Sequence, residues 1–139
     1  MSIDAGARSY LVSNPGVAAL VAPGSVVCGG ELPEEASYPA IVILSEDYPE
    51  PTMNGPPTIM RTILRISVLA ADSETENGLA IVKAAASAVV KALHYFRGEW
   101  DGVPVKGAFL EQQEDIVPDE ETGIVGVGLD FTVWHRPVP

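Results

Sequence analysis

Cys28, His94 and His135 are the residues of this chain that pair naturally as nucleophile and base. A catalytic nucleophile needs a base within hydrogen-bond reach and a third group to orient that base. No local motif of that kind surrounds any of the three. Cys28 follows Val26 and Val27, a setting that suits a packed thiol. His94 falls in the last turn of an expected helix, where a charged imidazole favours the negative end. His135 stands between Trp134 and Arg136, and neither histidine has a ligand partner three or four residues away. The acidic run Glu111, Glu114, Asp115, Asp119, Glu120 and Glu121 offers oxygens to a cation. It lacks the D-x-D-x-D-G order of a calcium loop. Gly123, Gly126 and Gly128 imitate a phosphate loop, but a strand pattern follows them, so no helix N-terminus would face a phosphate. The residue types therefore predict neither an enzyme nor a cofactor or metal site. The three glycines are expected to allow a bulge or a close approach across a sheet.

The elements that position these residues follow from periodicity. Ile3, Ala7, Tyr10 and Leu11 predict a short helix over 3–13, ended by Pro15. Asn14 is the expected N-cap of a second short helix that runs to about Leu20 and stops at Pro23-Gly24. Val26-Val27-Cys28 reads as a short strand, 29–37 as a polar loop, and Ala40–Leu44 as a strand buried on both faces. Glu46–Pro57 carries Pro49, Pro51, Gly55, Pro56 and Pro57, and is expected to be a protruding loop. From Thr58 to Ala71 the residues alternate. Met60, Thr62, Leu64, Ile66 and Val68 form one row, and Ile59, Arg61, Ile63, Arg65, Ser67 and Leu69 the other. A long helix is expected next, opened by a Ser73/Glu76 capping box and closed at Gly98. Its apolar stripe is Leu79, Val82, Ala86, Val89, Val90, Leu93 and Phe96. Trp100-Asp101-Gly102 reads as a turn, Lys106–Asp115 as a strand, and Val117–Gly123 as an acidic turn. A last strand alternates Val125, Val127, Leu129, Phe131 and Val133 with small or polar residues. The expected fold class is α+β, one domain over 1–139. A mostly antiparallel, mixed sheet would carry one long helix and the short N-terminal helices on one face.

Composition narrows the partners. The chain has 139 residues, 47% of them apolar, enough for a core. No apolar run approaches the roughly 20 residues of a membrane span, and the N-terminal pattern predicts no signal peptide. One cysteine excludes an internal disulfide and fits a cytosolic origin. A net charge of −11 with only eight basic residues makes a poor ligand for nucleic acid. Glu31, Glu34, Glu35, Glu46, Asp47 and Glu50 form one acidic group and the six acids from Glu111 to Glu121 a second. Together they hold 12 of the 19 acids, leaving two concentrated negative surfaces. Arg61 and Arg65 lie on one face of a strand, about 13 Å apart. With Ile59, Ile63 and Leu69 they make a mixed apolar and basic face suited to a protein interface.

The order of these segments resembles the tail-completion, or tail-terminator, proteins of long-tailed bacteriophages and prophages. The residues that carry the resemblance are Val17-Ala18-Ala19-Leu20-Val21 and Glu31-Leu32-Pro33 with Tyr38-Pro39-Ala40-Ile41-Val42-Ile43. They continue with the strand to Leu69, its helix, and Leu129-Asp130-Phe131-Thr132-Val133-Trp134. The resemblance implies a structural virion protein without turnover, assembled in the host cytoplasm. Its copies would form a ring, typically a hexamer, that caps the tail tube and joins it to the head connector. DNA would pass through the ring unbound, and no membrane would be involved. On that reading Tyr48, Met53, Arg61 and Arg65 are interface candidates. Glu46, Asp47, Glu50, Glu111, Glu114, Asp115, Asp119, Glu120 and Glu121 are candidates for the lumen or another acidic surface. A head-completion ring, a small dimeric enzyme and a binding module are the alternatives.

Overall fold

The computed structural model describes residues 3–29, 32, 37–50, 58–72 and 77–137. Helix α1 (Ile3–Ser13) leads into the four-residue α2 (Pro15–Ala18), a 3-10 turn (Pro23–Ser25) and strand β1 (Val26–Cys28). Then come β2 (Ala40–Pro49), β3 (Met60–Ala71), α3 (Gly78–Leu93), β4 (Phe96–Trp100), β5 (Val103–Ile116) and β6 (Ile124–His135). The six strands form one sheet in the order β1-β2-β3-β6-β5-β4. β1 runs parallel to β2, and every other pairing is antiparallel. The fold is α+β as expected, with the sheet as its larger part.

The alternation in β3 and β6 sets the core. Thr62, Leu64, Ile66, Val68 and Ala70 are buried on β3, and Val127, Leu129, Phe131 and Val133 on β6. The register places Leu64 opposite Phe131, Ile66 opposite Leu129 and Val68 opposite Val127. α3 packs on β3, β5 and β6, while α1 packs on β1, β2 and β4. Asn14 caps α2 as expected, accepting from the N–H groups of Gly16 and Val17 at 3.0 and 3.2 Å. α2 itself ends at Ala18, two residues early, and the chain turns there through Val17 carbonyl bonds to Leu20 and Val21. Asp101 and Gly102, at φ 49° and 82°, join β4 to β5 in a two-residue turn between paired Trp100 and Val103. Gly126 permits the expected close approach: a Cβ there would meet Leu69 Cδ2 at 2.8 Å and Val68 O at 3.0 Å.

Four expectations need correction. First, β2 does not stop at Leu44. It continues to Pro49 and pairs with β3 from Leu44↔Arg65 to Pro49↔Met60. β1 covers only Ile41–Ile43, so β2 is an edge strand beyond that point and tolerates a proline. Of the supposed loop, 51–57 lie outside the described residues, and Met53 with them. Second, β2 is not buried on both faces: Val42 is half-buried and Leu44 is 48% exposed, because all three helices lie on the other side. Third, α3 begins at Gly78, with Asn77 as its N-cap accepting from Ala80 N–H at 3.1 Å; Ser73–Glu76 lie outside the described residues. Fourth, the helix stops at Leu93 and not at Gly98. Sheet bonding ends it: Tyr95 N–H donates to Ala108 O at 2.7 Å, and Phe96–Trp100 becomes β4. The buried stripe is therefore Val82, Ala85, Ala86, Val89, Ala92 and Leu93, while Leu79 is 48% exposed.

Two close contacts fix the helix layer. A Cβ on Gly6 would meet Trp100 Cβ at 3.1 Å, so α1 lies tight against the end of β4. Tyr10, Phe96 and Trp100 stack around that contact, with Phe96 and Trp100 ring centroids 5.4 Å apart. At the start of α3, Gly78 N–H donates to Asp72 Oδ1 at 2.9 Å, and a Cβ there would meet Ala71 O at 2.8 Å. Gly78→Ala is expected to destabilise the protein by about 1–3 kcal/mol, because the nearest atoms are backbone and must shift. Leu93→Ala is expected to cost about 2–5 kcal/mol, since Leu93 is fully buried. Denaturant melts read both, and a Leu93→Ala midpoint equal to the parent's would overturn the packing assignment.

Candidate assembly surface

The sheet face away from the helices carries three rows, read from the register. Leu44, Arg65 and Asp130 form one, Glu46, Ile63 and Thr132 the next, and Tyr48, Arg61 and Trp134 the third. Period-two alternation puts these side chains opposite the buried rows of the same strands. Arg61 and Arg65 thus share the face that the sequence predicts, and Tyr48 joins them there. Arg61 Nε donates to Glu50 Oε1 at 3.3 Å, and its guanidinium lies 4.7 Å from the centre of the Tyr48 ring. Arg65 reaches Glu46 at 3.9 Å. Hydrogen bonding to Glu46, with some burial and the negative charge of Glu46, raises the Tyr48 phenol above its ordinary pKa. Leu44, Ser45, Glu46, Ile63 and Arg65 line a shallow cleft of about 300 Å³.

This charge arrangement alters the expected chemistry of the face. Both arginines already have carboxylates from their own chain, and Asp130 stands opposite Arg65. The face is a patchwork of Leu44, Ile63 and Trp134 with internally matched charge.

Among the described residues, the candidate acids divide between the two ends of the sheet, while Glu31, Glu34 and Glu35 lie outside the described residues. Glu46, Asp47 and Glu50 lie where β2 meets the start of β3. Glu111, Glu114 and Asp115 are exposed on β5, and Asp119, Glu120 and Glu121 are exposed in the turn after it. Two of these have local structural partners. Asp119 accepts from Glu121 N–H at 2.9 Å and closes the turn, and Lys83 Nζ donates to Asp115 at 2.6 Å. Asp47 is exposed, and its side chain also meets Thr62 on the helix-side face. Thr62 Oγ1 is 2.6 Å from Asp47 Oδ1 and 2.7 Å from His135 Nε2. The signal for this cluster was present in the alternation: Thr62 interrupts an apolar row, and His135 lies two residues beyond Val133 in a buried row.

The remaining chemical candidates are occupied by the fold. Cys28 Sγ donates to Asp4 O at 3.3 Å, and burial, then Asp4, raises its thiol pKa, with Arg8 opposing. His94 Nδ1 accepts from Leu110 N–H at 2.9 Å. No cluster of three or more His, Cys, Asp or Glu with metal-binding geometry occurs among the described residues.

No protein-family model matches the chain. No curated protein matches it either. Among solved structures, it superposes on a chain from the virion of a native gene transfer agent (GTA) particle with a TM-score of 0.77. The match covers 98% of this chain and 96% of that one, at 18% identity. The two chains share a fold from end to end.

Proposed function

We propose that this protein is a structural virion component, a tail-completion subunit whose copies form a ring. The ring caps the tail tube and joins it to the head connector, and the protein performs no turnover. The observation that carries this reading is the end-to-end fold likeness to a virion chain. The order of sequence segments that resembles tail-completion proteins supports it from a separate direction. The sheet face of Leu44, Ile63, Arg61, Arg65 and Trp134 is the proposed contact between copies. Its apolar residues supply area for burial, and its matched ion pairs set orientation more than affinity. The acids on β5 and its turn are proposed to face the opening, where negative charge repels phosphate and lets DNA pass without sticking.

Reversal of charge tests the contact. Arg61→Glu with Arg65→Glu sets two new carboxylates beside Glu46, Glu50 and Asp130. Exposed ion pairs contribute only about 0–1 kcal/mol each, so the subunit should still fold. Light scattering is expected to show a ring of several copies for the parent and monomer for the double variant, with equal circular dichroism. A parent that stays monomeric when mixed with its tail-tube partner, leaving tube ends uncapped in electron micrographs, would overturn the tail-completion reading. Unchanged assembly of the double variant would move the contact to another face.

A further inference from the structure

One row of side chains crosses the sheet face away from the helices. Glu46 on β2 stands opposite Ile63 on β3, Ile63 opposite Thr132 on β6, and Thr132 opposite Phe109 on β5. Beyond β5 the row finishes on Tyr95, whose ring meets the Phe109 ring edge-on with centroids 5.8 Å apart. At β2 it finishes in the cleft of about 300 Å³ lined by Leu44, Ser45, Glu46, Ile63 and Arg65. A projecting side chain and a recess therefore occupy opposite ends of one row, with β2 and β5 about 14 Å apart over three strand spacings.

Tyr95 is held in a projecting position. It is 71% exposed, more than any other aromatic side chain among the described residues. Its backbone sits at φ 64°, a left-handed conformation that favours glycine. Bonds to β5 fix it there: Tyr95 N–H donates to Ala108 O at 2.7 Å, and the preceding His94 accepts from Leu110 N–H at 2.9 Å. Gly107 leaves room for the Phe109 ring that supports it, since a Cβ on Gly107 would meet that ring at 2.8 Å. The turn would form more easily with glycine, and the exposed ring buries little within its own chain.

We infer that the contact between copies is head-to-tail, with Tyr95 of one copy entering the cleft of Leu44 and Ile63 on the next. This contact rests on the ring reading above and supplies its two unlike halves. A cavity of about 150 Å³ already admits benzene, so the cleft has room for a phenol ring. Leu44 and Ile63 give it apolar walls. The Glu46 carboxylate takes a hydrogen bond from Tyr48 and faces Arg65 at 3.9 Å, and it has lone pairs left to accept from the incoming phenol. Because knob and cleft lie at opposite edges, each edge-to-edge contact leaves one knob and one cleft free. A heterologous contact of that kind closes into a ring.

Charge favours a second copy as the occupant. Strand directions alternate across β2, β3, β6, β5 and β4, so β4 runs parallel to β2. In a contact that carries the row on from copy to copy, Tyr95 comes level with Glu46 of the neighbour. Arg97, two residues on, then comes level with Tyr48, beside Asp47 and Glu50. Lys106 stands next to Arg97, in the irregular stretch between the Phe96↔Ala108 and Gly98↔Val105 pairs. Both cations are exposed, and neither pairs with an acid among the described residues, whereas Arg61, Arg65 and Lys83 each do. Glu99 comes level with Glu50, past the end of β2, and weakens the match there without reaching the cleft. Local complementarity of this kind lets copies with a net charge of −11 meet.

Sedimentation velocity on four samples tests the contact: the parent, Tyr95→Gly, Leu44→Arg, and an equal mixture of the two variants. Tyr95→Gly removes the knob and relaxes the left-handed backbone. Its melting temperature should stay within about 2 °C of the parent's, while self-association falls at least about tenfold. Leu44→Arg fills the cleft and sets a like charge against Arg97 and Lys106, so it should also be monomeric. The mixture should form 1:1 dimers, because one variant keeps its cleft and the other its knob. A ring retained by either variant, or a mixture that stays monomeric, overturns the contact and leaves the ring reading standing. A parent that stays monomeric or stops at a dimer, also with its tail-tube partner present, overturns both. Should circular dichroism show Leu44→Arg unfolded, Glu46→Lys takes its place.

Discussion

The antiparallel pairing of β3 with β6 is the constraint on which the rest of the structure depends. It runs unbroken from Met60↔His135 to Ala71↔Ile124 through the middle of the sheet. Its alternating side chains put Leu64, Ile66, Val68, Leu129, Phe131 and Val133 under the helices. A slip of one residue in either strand would turn that set outward. On β3 the same slip would drive Arg61 and Arg65 into the core without their carboxylates, at a desolvation cost far above that of a lost surface pair. The register is therefore held from both faces at once. β2 and β5 then pair on the outer edges of this central couple, and the helices cover the side that the register has made apolar.

The same pairing explains why the other face is open. Its residues belong to strands whose burial needs are already met on the helix side. What remains is a shallow, mixed surface: Leu44 exposed, Ile63 and Trp134 half-buried, and arginines held by neighbouring carboxylates. The ion pairs of this surface are part-exposed and stay hydrated in a single chain. On the proposed reading it is the face that meets a second copy. Internal charge matching makes it indifferent to the overall sign of that partner, which suits contact between copies of a chain with a net charge of −11.

Acidity is distributed with a consequence for the ends of the sheet. One end carries exposed acids on β5 and its turn, where Asp119 spends its side chain closing the turn and Asp115 engages Lys83. The other end carries acids engaged by Arg61, Arg65 and Thr62. Among the described residues, the first end thus carries more acids without a basic side-chain partner, and the second is knit into the fold. The two histidines divide in the same way. One receives a backbone proton at the helix-strand corner, and the other bridges a carbonyl and a hydroxyl in the interior.

The sequence by itself determined the faces of β3 and β6, the burial of Val82, Ala86, Val89 and Leu93 on α3, the cap at Asn14 and the turn at Asp101-Gly102. Each of these rests on local periodicity or on backbone chemistry that one or two residues decide. Where β2 ends, where α3 ends and what Asp47 touches were decided only by the tertiary structure. Pro49 forbids a central strand but not an edge, and only the shortness of β1 made that stretch an edge. The helical pattern ran on to Phe96, yet hydrogen bonds from β5 claimed the chain after Leu93. Asp47 sits in an acidic run that reads as surface. Thr62 lies 15 residues away and His135 88, and only the cross-strand register brings the three together. Local pattern sets which way a side chain faces along its own element. The partner it meets depends on contacts between elements distant in sequence, and no local spacing encodes them.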